Sequence, residues 1–319
     1  MIDVSTFQSL RPHLFSVAYR MLGSAAEAED VVQDAWLRTE SAPDDLASAR
    51  AWLTTVVTRL CLDRAKSARS RREEYVGPWL PEPVPTSAID TAEDAAERRE
   101  SVTLAFLVLL ETLSPAERAA FLLREVFDAD YADVARVLDT TQAAARQLAH
   151  RAKSRLADGR VRFDAPPARQ REIVDRFLEA VSSGDISRLE HLLAADVTFT
   201  ADGGGKVAAA RRVVAGLPRV STLLMAIWQK SRSAADPDPA AWREELTSIN
   251  GEPAILTYFR ETLDTVLVFS TDAVRITAIR AIRNPDKLAW LRSHEGLLSG
   301  VEEPAIDEDA PHEPRRREH

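Results

Sequence analysis

The chain has 319 residues, 45% hydrophobic and 29% charged, with a formal net charge of -9 at pH 7. This length predicts two or three domains with cores of their own. The longest apolar run, LAFLVLL at 104–110, is far short of a bilayer span. The opening MIDVSTFQSLRPHLF lacks a basic-then-apolar leader pattern, and Cys61, the single cysteine, excludes an internal disulfide framework and a cysteine-built metal site. A soluble protein of the reducing cytoplasm, with no membrane partner, is expected.

In chain order, Phe7, Leu10, Leu14, Ala18 and Met21 recur every three or four residues and predict a first helix. GSAAEAEDVVQDAWLRTE predicts a second, with Ser24 as N-cap and Glu27 three residues on as its capping-box partner. Val31, Val32 and Ala35 share the core face of this helix. Glu27, Asp30, Gln33, Asp34 and Leu37 line the opposite face, which suits either a basic partner or solvent. The third helix, ARAWLTTVVTRLCLDRAKSARSRRE, buries Leu53, Val56, Val57 and Leu60. Its other side shows Trp52, Thr55, Arg59, Leu62 and Lys66. Aromatic and basic residues on one face suit splayed-out bases and their phosphates; the alternative is that Trp52 packs in the core.

YVGPWLPEPVP, residues 75–85, then interrupts the helices. Its four prolines forbid a helix, while Tyr75, Trp79 and Leu80 make it too apolar for a plain linker. An acidic run, Glu82 to Glu97, follows. At 114–117, Ser114, Pro115 and Glu117 combine an N-cap, a first-turn proline and a capping box. Asp130 and Asp133 open a short helix through Leu138, and a longer basic helix begins near Thr141, which together predict a helix-turn-helix. On the second of these helices Ala145, Leu148, Ala149, Ala152 and Leu156 face inward. Gln142, Arg146, Gln147, His150 and Arg151 face outward or flank that stripe, with Lys153 further along, so small and hydrogen-bonding groups are offered to base edges and cations to phosphates.

Charge is unevenly placed. Residues 50–72 carry Arg50, Arg59, Arg64, Lys66, Arg69, Arg71 and Arg72 against Asp63 alone, and residues 146–162 carry six cations against Asp158. Two basic patches on an acidic chain suit binding at two points of a polyanion. After a second linker, DGRVRFDAPPA, the texture changes to two helices and then strands: Val197–Thr200, and later WREELTSINGEPAILTYF, DTVLVFSTD and AVRITAIRAIRN, with Asn-Gly marking a turn. Helices followed by antiparallel strands predict an α+β domain. The charged, proline-punctuated tail from Ser293 onward is expected to be disordered.

Acidic stripe, aromatic-basic helix, strap and helix-turn-helix, in that order over residues 3–158, resemble a sigma-70 family initiation factor of the extracytoplasmic-function type. By that resemblance AEDVVQDAWLR (28–38) is the segment that grips the β′ clamp of core RNA polymerase through Asp30, Gln33, Asp34, Trp36 and Leu37. Trp52, Arg59, Lys66 and Arg69 would serve the melted minus-10 element. Gln142, Arg146, Gln147, His150, Arg151 and Lys153 would serve the double-stranded minus-35 element, with the β flap of polymerase as a further partner. YVGPWLPEP (75–83), DGGGK (202–206) and NPDKL (284–288) narrow the resemblance to the subgroup with a SnoaL-like C-terminal extension, the sigma-J type. The resemblance implies that this extension regulates sigma activity.

The expected fold is therefore multi-domain: two all-α domains, sigma region 2 (1–72) and a helix-turn-helix sigma region 4 (101–158), followed by an α+β SnoaL-like, nuclear-transport-factor-like domain (168–292). A proline-rich and acidic linker (73–100), a short linker (159–167) and a tail (293–319) complete the chain. The strap is expected to span two promoter boxes in an extended form. Tyr75, Trp79 and Leu80 are expected to dock near Asp202, Gly203, Gly204, Gly205 and Lys206 and near Asn284, Pro285, Asp286 and Lys287, where tethering makes even a weak contact effective. SnoaL-like domains also host isomerases and hydrolases, but no spacing among His191, Asp202, Tyr258, Arg260 and Asp264 nominates an acid-base pair. The expectation is no catalysis, no metal and no cofactor, with room for a small-molecule effector in the C-terminal domain. The alternative is an enzyme or small-molecule-sensing SnoaL-like domain fused to a helix-turn-helix module.

Overall fold

The computed structural model describes residues 2–43, 48–89, 101–157, 166–233 and 241–298, with the backbone alone at 66–73 and 231–233. The first helix, α1 (Val4–Leu22), starts where the Asp3 side chain accepts from Thr6 N at 2.7 Å and stops at Gly23, whose φ of 69° closes the helix in a left-handed cap. Next come α2 (Ala25–Leu37) and α3 (Ala49–Glu73). The three pack on one another through Leu14, Ala18, Val31, Ala35, Leu53 and Val57, all fully buried or nearly so. The capping box expected of Ser24 and Glu27 is half built. Ser24 Oγ accepts from Glu27 N, and the remainder of this helix end is occupied by Glu82 from the strap.

The strap is extended as far as Pro85, which bridges to Ile249, and a single turn, α4 (Thr86–Ile89), follows. Beyond it lie α5 (Leu104–Leu110), α6 (Pro115–Phe121), a five-residue π-helical stretch (Leu122–Val126), α7 (Tyr131–Val137) and α8 (Gln142–Ala157). The Ser114–Glu117 capping box is complete at the start of α6, and Asp130 caps α7 by accepting from Asp133 N. The α7–α8 pair is the helix-turn-helix, seated through Val134, Ala145 and Ala149 on Ala120 and Leu123.

The C-terminal part begins with α9 (Pro167–Ser183) and α10 (Ile186–Leu192) and continues with strand β1 (Leu193–Asp202). Strand β2 (Val214–Ala215) and α11 (Leu217–Ser233) follow, then β3 (Trp242–Ile249), β4 (Glu252–Phe259), β5 (Thr262–Thr271), β6 (Ile276–Ile282) and α12 (Pro285–Ser293). The strand order is β2-β1-β6-β5-β4-β3. The expected all-antiparallel sheet is corrected at one place: β1 and β6 run parallel, because they are joined by a long excursion through α11 and four strands, not by a hairpin. The Val197–Thr200 strand is longer than its apolar core suggests, since β1 pairs with β6 up to Asp202.

Both faces of the sheet are covered. One packs on α9, α10 and α11 through Phe177, Phe199 and Phe269, the first and last with ring centroids 4.9 Å apart. The other, carrying Leu256, Val266, Val268 and Ile282, enters the same apolar cluster as Leu14, Leu53, Leu80, Val84 and Leu107. One continuous core therefore joins the helical blocks, the strap and the sheet. Arg118 Nε donates to Arg20 O at 2.9 Å, Phe127 lies under Arg20, and α3 touches both α6 and α7, so the two halves of the N-terminal region pack directly together. A second correction concerns the tail. Residues 293–298 finish α12 and form a 3-10 turn, with Leu298 only 7% exposed, because that leucine completes the apolar cover of the sheet. The expected linker at 159–167 falls outside the described residues up to 165, as do 90–100 and 299–319.

Candidate nucleic-acid interface and linker clasp

On α2, Asp30 and Gln33 are exposed and Asp34 is half-buried. Arg64 from α3 ties two of these acids down, with Nη2 2.7 Å from Asp34 and Nη1 3.5 Å from Asp30. Trp36 leans on Phe7 at 4.9 Å between ring centroids, and Leu37 is 71% exposed. Between α1 and α2 these side chains border a cleft of about 370 Å³, lined by Val4, Phe7, Gln33, Trp36 and Leu37 among others. An exposed leucine beside an aromatic wall can seat the apolar face of an amphipathic partner helix.

On α3, Trp52 and Leu62 are half-buried and pack against the core cluster, so Trp52 is partly a core residue. Arg59 is exposed and is also engaged within the chain. Its Nη2 donates to Arg136 O at 2.7 Å and its Nε to Val137 O at 3.2 Å, capping the carbonyl end of α7. Lys66 and Arg69 stand on the last turns of α3, where the side chains are outside the described residues.

On α8, Ala145, Ala149, Ala152 and Leu156 are buried, and Gln142, Arg146, Gln147, His150, Arg151 and Lys153 are all exposed. The Arg146 guanidinium stands 5.0 Å over the Tyr131 ring, which holds it in place without neutralising it. Arg151 and Lys153 pair with Glu117 at 3.3 Å and Glu125 at 2.6 Å. Both cations are more than half exposed, and such pairs contribute only about 0–1 kcal/mol, so phosphates can replace these carboxylates at little cost.

The strap residues converge on the DGGGK and NPDKL segments. Asp202, with no exposed surface, accepts four hydrogen bonds. Tyr75 Oη (2.5 Å) and Gly204 N (3.0 Å) donate to Oδ1, while Leu80 N (2.8 Å) and Lys287 Nζ (2.6 Å) donate to Oδ2. Lys287 Nζ also donates to Leu80 O and lies 4.2 Å from the Trp79 ring centroid and 4.8 Å from that of Tyr75. Asn284 caps α12 at Pro285 and donates from Nδ2 to Tyr75 Oη at 2.8 Å. Burial, followed by the hydrogen bond to Asp202, pushes the Tyr75 phenol up and keeps it a donor. Gly204 has a φ of 59°, and a Cβ there would stand 2.3 Å from Asn284 Nδ2, so only glycine allows this approach. Lys206 pairs with Asp286 at 2.5 Å on the rim, and Gly203 and Gly205 turn the chain back against Val207 and Val76.

Three joints escaped sequence reasoning. First, Glu82 reaches across to α2: its carboxylate takes hydrogen bonds from Ser24 Oγ (2.7 Å), Ala25 N (2.8 Å) and Ala26 N (3.1 Å). Burial raises this carboxyl above the ordinary glutamate value, and those donors pull it back. Second, Asn250 of the Asn-Gly turn is fully buried, its Nδ2 donating to Tyr19 Oη and Val102 O and its Oδ1 accepting from Val84 N. Third, Glu252 accepts from Leu104 N at 2.8 Å and from Ser270 Oγ at 2.5 Å, so a C-terminal carboxylate caps α5. The Asn-Gly turn and Glu82 were legible in the sequence; their burial was not.

Capping by Glu82 gives a direct expectation. Glu82→Ala should weaken the docked strap by about 1–2 kcal/mol, the usual cost of a lost N-cap. Hydrogen exchange at the Ala25 and Ala26 amides checks this, and protection equal to wild type would show that Glu82 is idle there.

Residues 6–71 match the family model described as Sigma-70 region 2, and residues 103–156 that described as Sigma-70, region 4. Over 307 residues the chain is 41% identical to the ECF RNA polymerase sigma factor SigJ of Mycobacterium tuberculosis, a match covering 90% of this chain and 93% of that one. This chain belongs to the extracytoplasmic-function RNA polymerase sigma factors. It is also 34% identical to the probable ECF sigma factor SigI of the same species, over 92% of this chain and 97% of that one. The crystal structure of SigJ superposes with a TM-score of 0.71 at 37% identity, covering 90% of this chain and 98% of that one. As a sigma factor the chain directs promoter-specific transcription initiation with core RNA polymerase, and its α+β part is the SnoaL-like extension. None of its described helices is long and apolar enough to cross a membrane.

Proposed function

We propose that residues 1–72 hold core polymerase through the α2 face around Asp30, Gln33, Asp34, Trp36 and Leu37, on the β′ clamp. In this reading α3 serves the melted minus-10 element with Trp52, Arg59, Lys66 and Arg69. Residues 101–158 serve the double-stranded minus-35 element from α8, next to the β flap. The extension, residues 168–292, modulates the sigma factor by grasping the strap. The observation that carries the regulatory part is the Asp202 carboxylate, buried and shared between Tyr75, Leu80, Gly204 and Lys287. With Arg59 engaged on α7, the docked form presents a minus-10 helix that must release a bond before using that arginine on DNA.

No chemistry is assigned to this chain, and its place of action is taken to be the cytoplasm, where polymerase works. The residues weighed for catalysis have structural contacts: His191 Nδ1 lies 2.6 Å from Ser187 O, Asp264 pairs with Arg283 at 3.0 Å, and Arg243 lies 3.9 Å over Tyr258. A small-molecule effector forms no part of this reading.

In vitro transcription by core polymerase tests the assignment. Arg146→Ala should lower initiation at the cognate promoter roughly 5- to 150-fold, the equivalent of losing one bidentate base contact, with core binding unchanged. Equal loss of promoter and core binding would remove α8 from the reading role. Because a chain ending near Asp158 would uncover Leu80 and Val84, variants of the full chain are the cleaner comparison for the extension.

A further inference from the structure

Between Gly203 and Ala235 the sequence carries Lys206, Arg211, Arg212, Arg219, Lys230 and Arg232 and no acid, in a chain whose net charge is -9. The promoter-binding helices do not account for this run. Lys206 is answered by Asp286, whereas Arg211 and Arg212 are exposed and make no ion pair among the described residues. Their loop is well fixed. Lys206 N and Val207 N both donate to Gly203 O, and Arg283, itself paired with Asp264, donates from Nη1 to Ala208 O at 2.7 Å. The loop also lies on the strap: a Cβ at Gly77 would stand 3.9 Å from Arg211 Cα, and one at Gly205 3.1 Å from Val76 Cβ. Gly77 follows Glu73, the end of α3, by four residues, so the two are within about 14 Å of each other, roughly four base-pair steps of duplex.

We propose that Arg211 and Arg212 form a third nucleic-acid contact, to backbone phosphates of promoter DNA next to the segment served by α3. The proposal rests on the sigma reading of α3. Guanidinium groups on a fixed loop suit phosphate oxygens in paired hydrogen bonds. Nucleic acid is favoured over an acidic protein surface because the loop extends the basic track that α3 begins. Such a contact adds affinity without sequence information.

The test uses holoenzyme formed from core polymerase and the full chain, titrated on cognate and scrambled promoter fragments at several salt concentrations. The double variant Arg211→Ala, Arg212→Ala should bind both fragments more weakly and lose about 1.4–1.8 from the slope of log affinity against log salt. Arg211→Lys, Arg212→Lys should keep that slope. An unchanged slope and affinity would overturn the proposal, and so would a loss confined to core-polymerase binding, which would assign the loop to a protein partner. Tighter DNA binding by the double variant would also overturn it, by showing that these arginines answer the chain's own acidic tail. A wild-type holoenzyme that ignores the cognate fragment would instead remove the sigma reading of α3 and, with it, this contact.

Discussion

Asp202→Ala is expected to destabilise the folded chain by about 3–5 kcal/mol, the usual cost of stranding one member of a buried ion pair. Lys287 has 8% of its side chain exposed and Asp202 none, so water cannot replace the lost carboxylate. The substitution also orphans Leu80 N and removes the acceptor of Tyr75 Oη, two of the points where the strap meets this site. Thermal unfolding should start earlier, and hydrogen exchange over residues 75–84 should accelerate. Asp202→Leu combined with Lys287→Met separates charge from docking. It should recover most of the stability, because a buried pair replaced by apolar residues of similar size is often neutral, while the strap stays loose. If Trp79→Ala and Asp202→Ala, singly and together, leave promoter-driven transcription unchanged, the docked strap has no regulatory part.

Asn250→Ala should cost about 3–5 kcal/mol as well, for a different reason. Three neighbours lose a partner: Val84 N, Val102 O and Tyr19 Oη. Each buried group left unsatisfied costs about 1–3 kcal/mol. Alanine at a φ of 54° adds strain of roughly 1 kcal/mol. Asn250→Gly relieves the strain alone and should recover only that part. Because Asn250 joins α1, the strap, the segment before α5 and the C-terminal sheet, its loss should loosen all four together. Protease cutting near residues 84 and 102 and a larger radius of gyration are the readouts. Local unfolding confined to the β3–β4 turn would show that the joint does not couple the domains.

Two forces shape the docked state, and they act on different parts of the strap. Leu80 and Val84 are held by apolar burial, with Leu80 contributing about 1.5–3 kcal/mol. Tyr75, Glu82 and the backbone of Leu80 are held by hydrogen bonds that water could supply instead. Undocking therefore exposes apolar surface while its polar groups rehydrate readily, which suits a contact that must form and release. Polymerase grasps α2, whose N-terminal amides hold Glu82, so strap docking and polymerase binding meet on one helix in the proposed reading.

The sequence alone determined the local elements. The three-to-four residue spacing of Phe7, Leu10, Leu14, Ala18 and Met21 marked α1, and Ser114-Pro115-Glu117 marked the start of α6, because caps and amphipathic stripes act within a turn or two of helix. The prolines of YVGPWLPEPVP forced an extended strap whatever surrounds it. The order of these elements was enough for the family resemblance. What the tertiary structure decided is which surfaces meet. Arg59 also caps α7 in the folded chain; Trp52 proved to be partly core; Glu82 and Asn250, an acid and a turn residue on paper, became buried joints. The parallel pairing of β1 with β6 and the packing of the two N-terminal halves on one sheet face have the same origin. Burial of these polar groups is set by partners far along the chain, Asp202 and Tyr75 being 127 residues apart, and no local spacing encodes that distance.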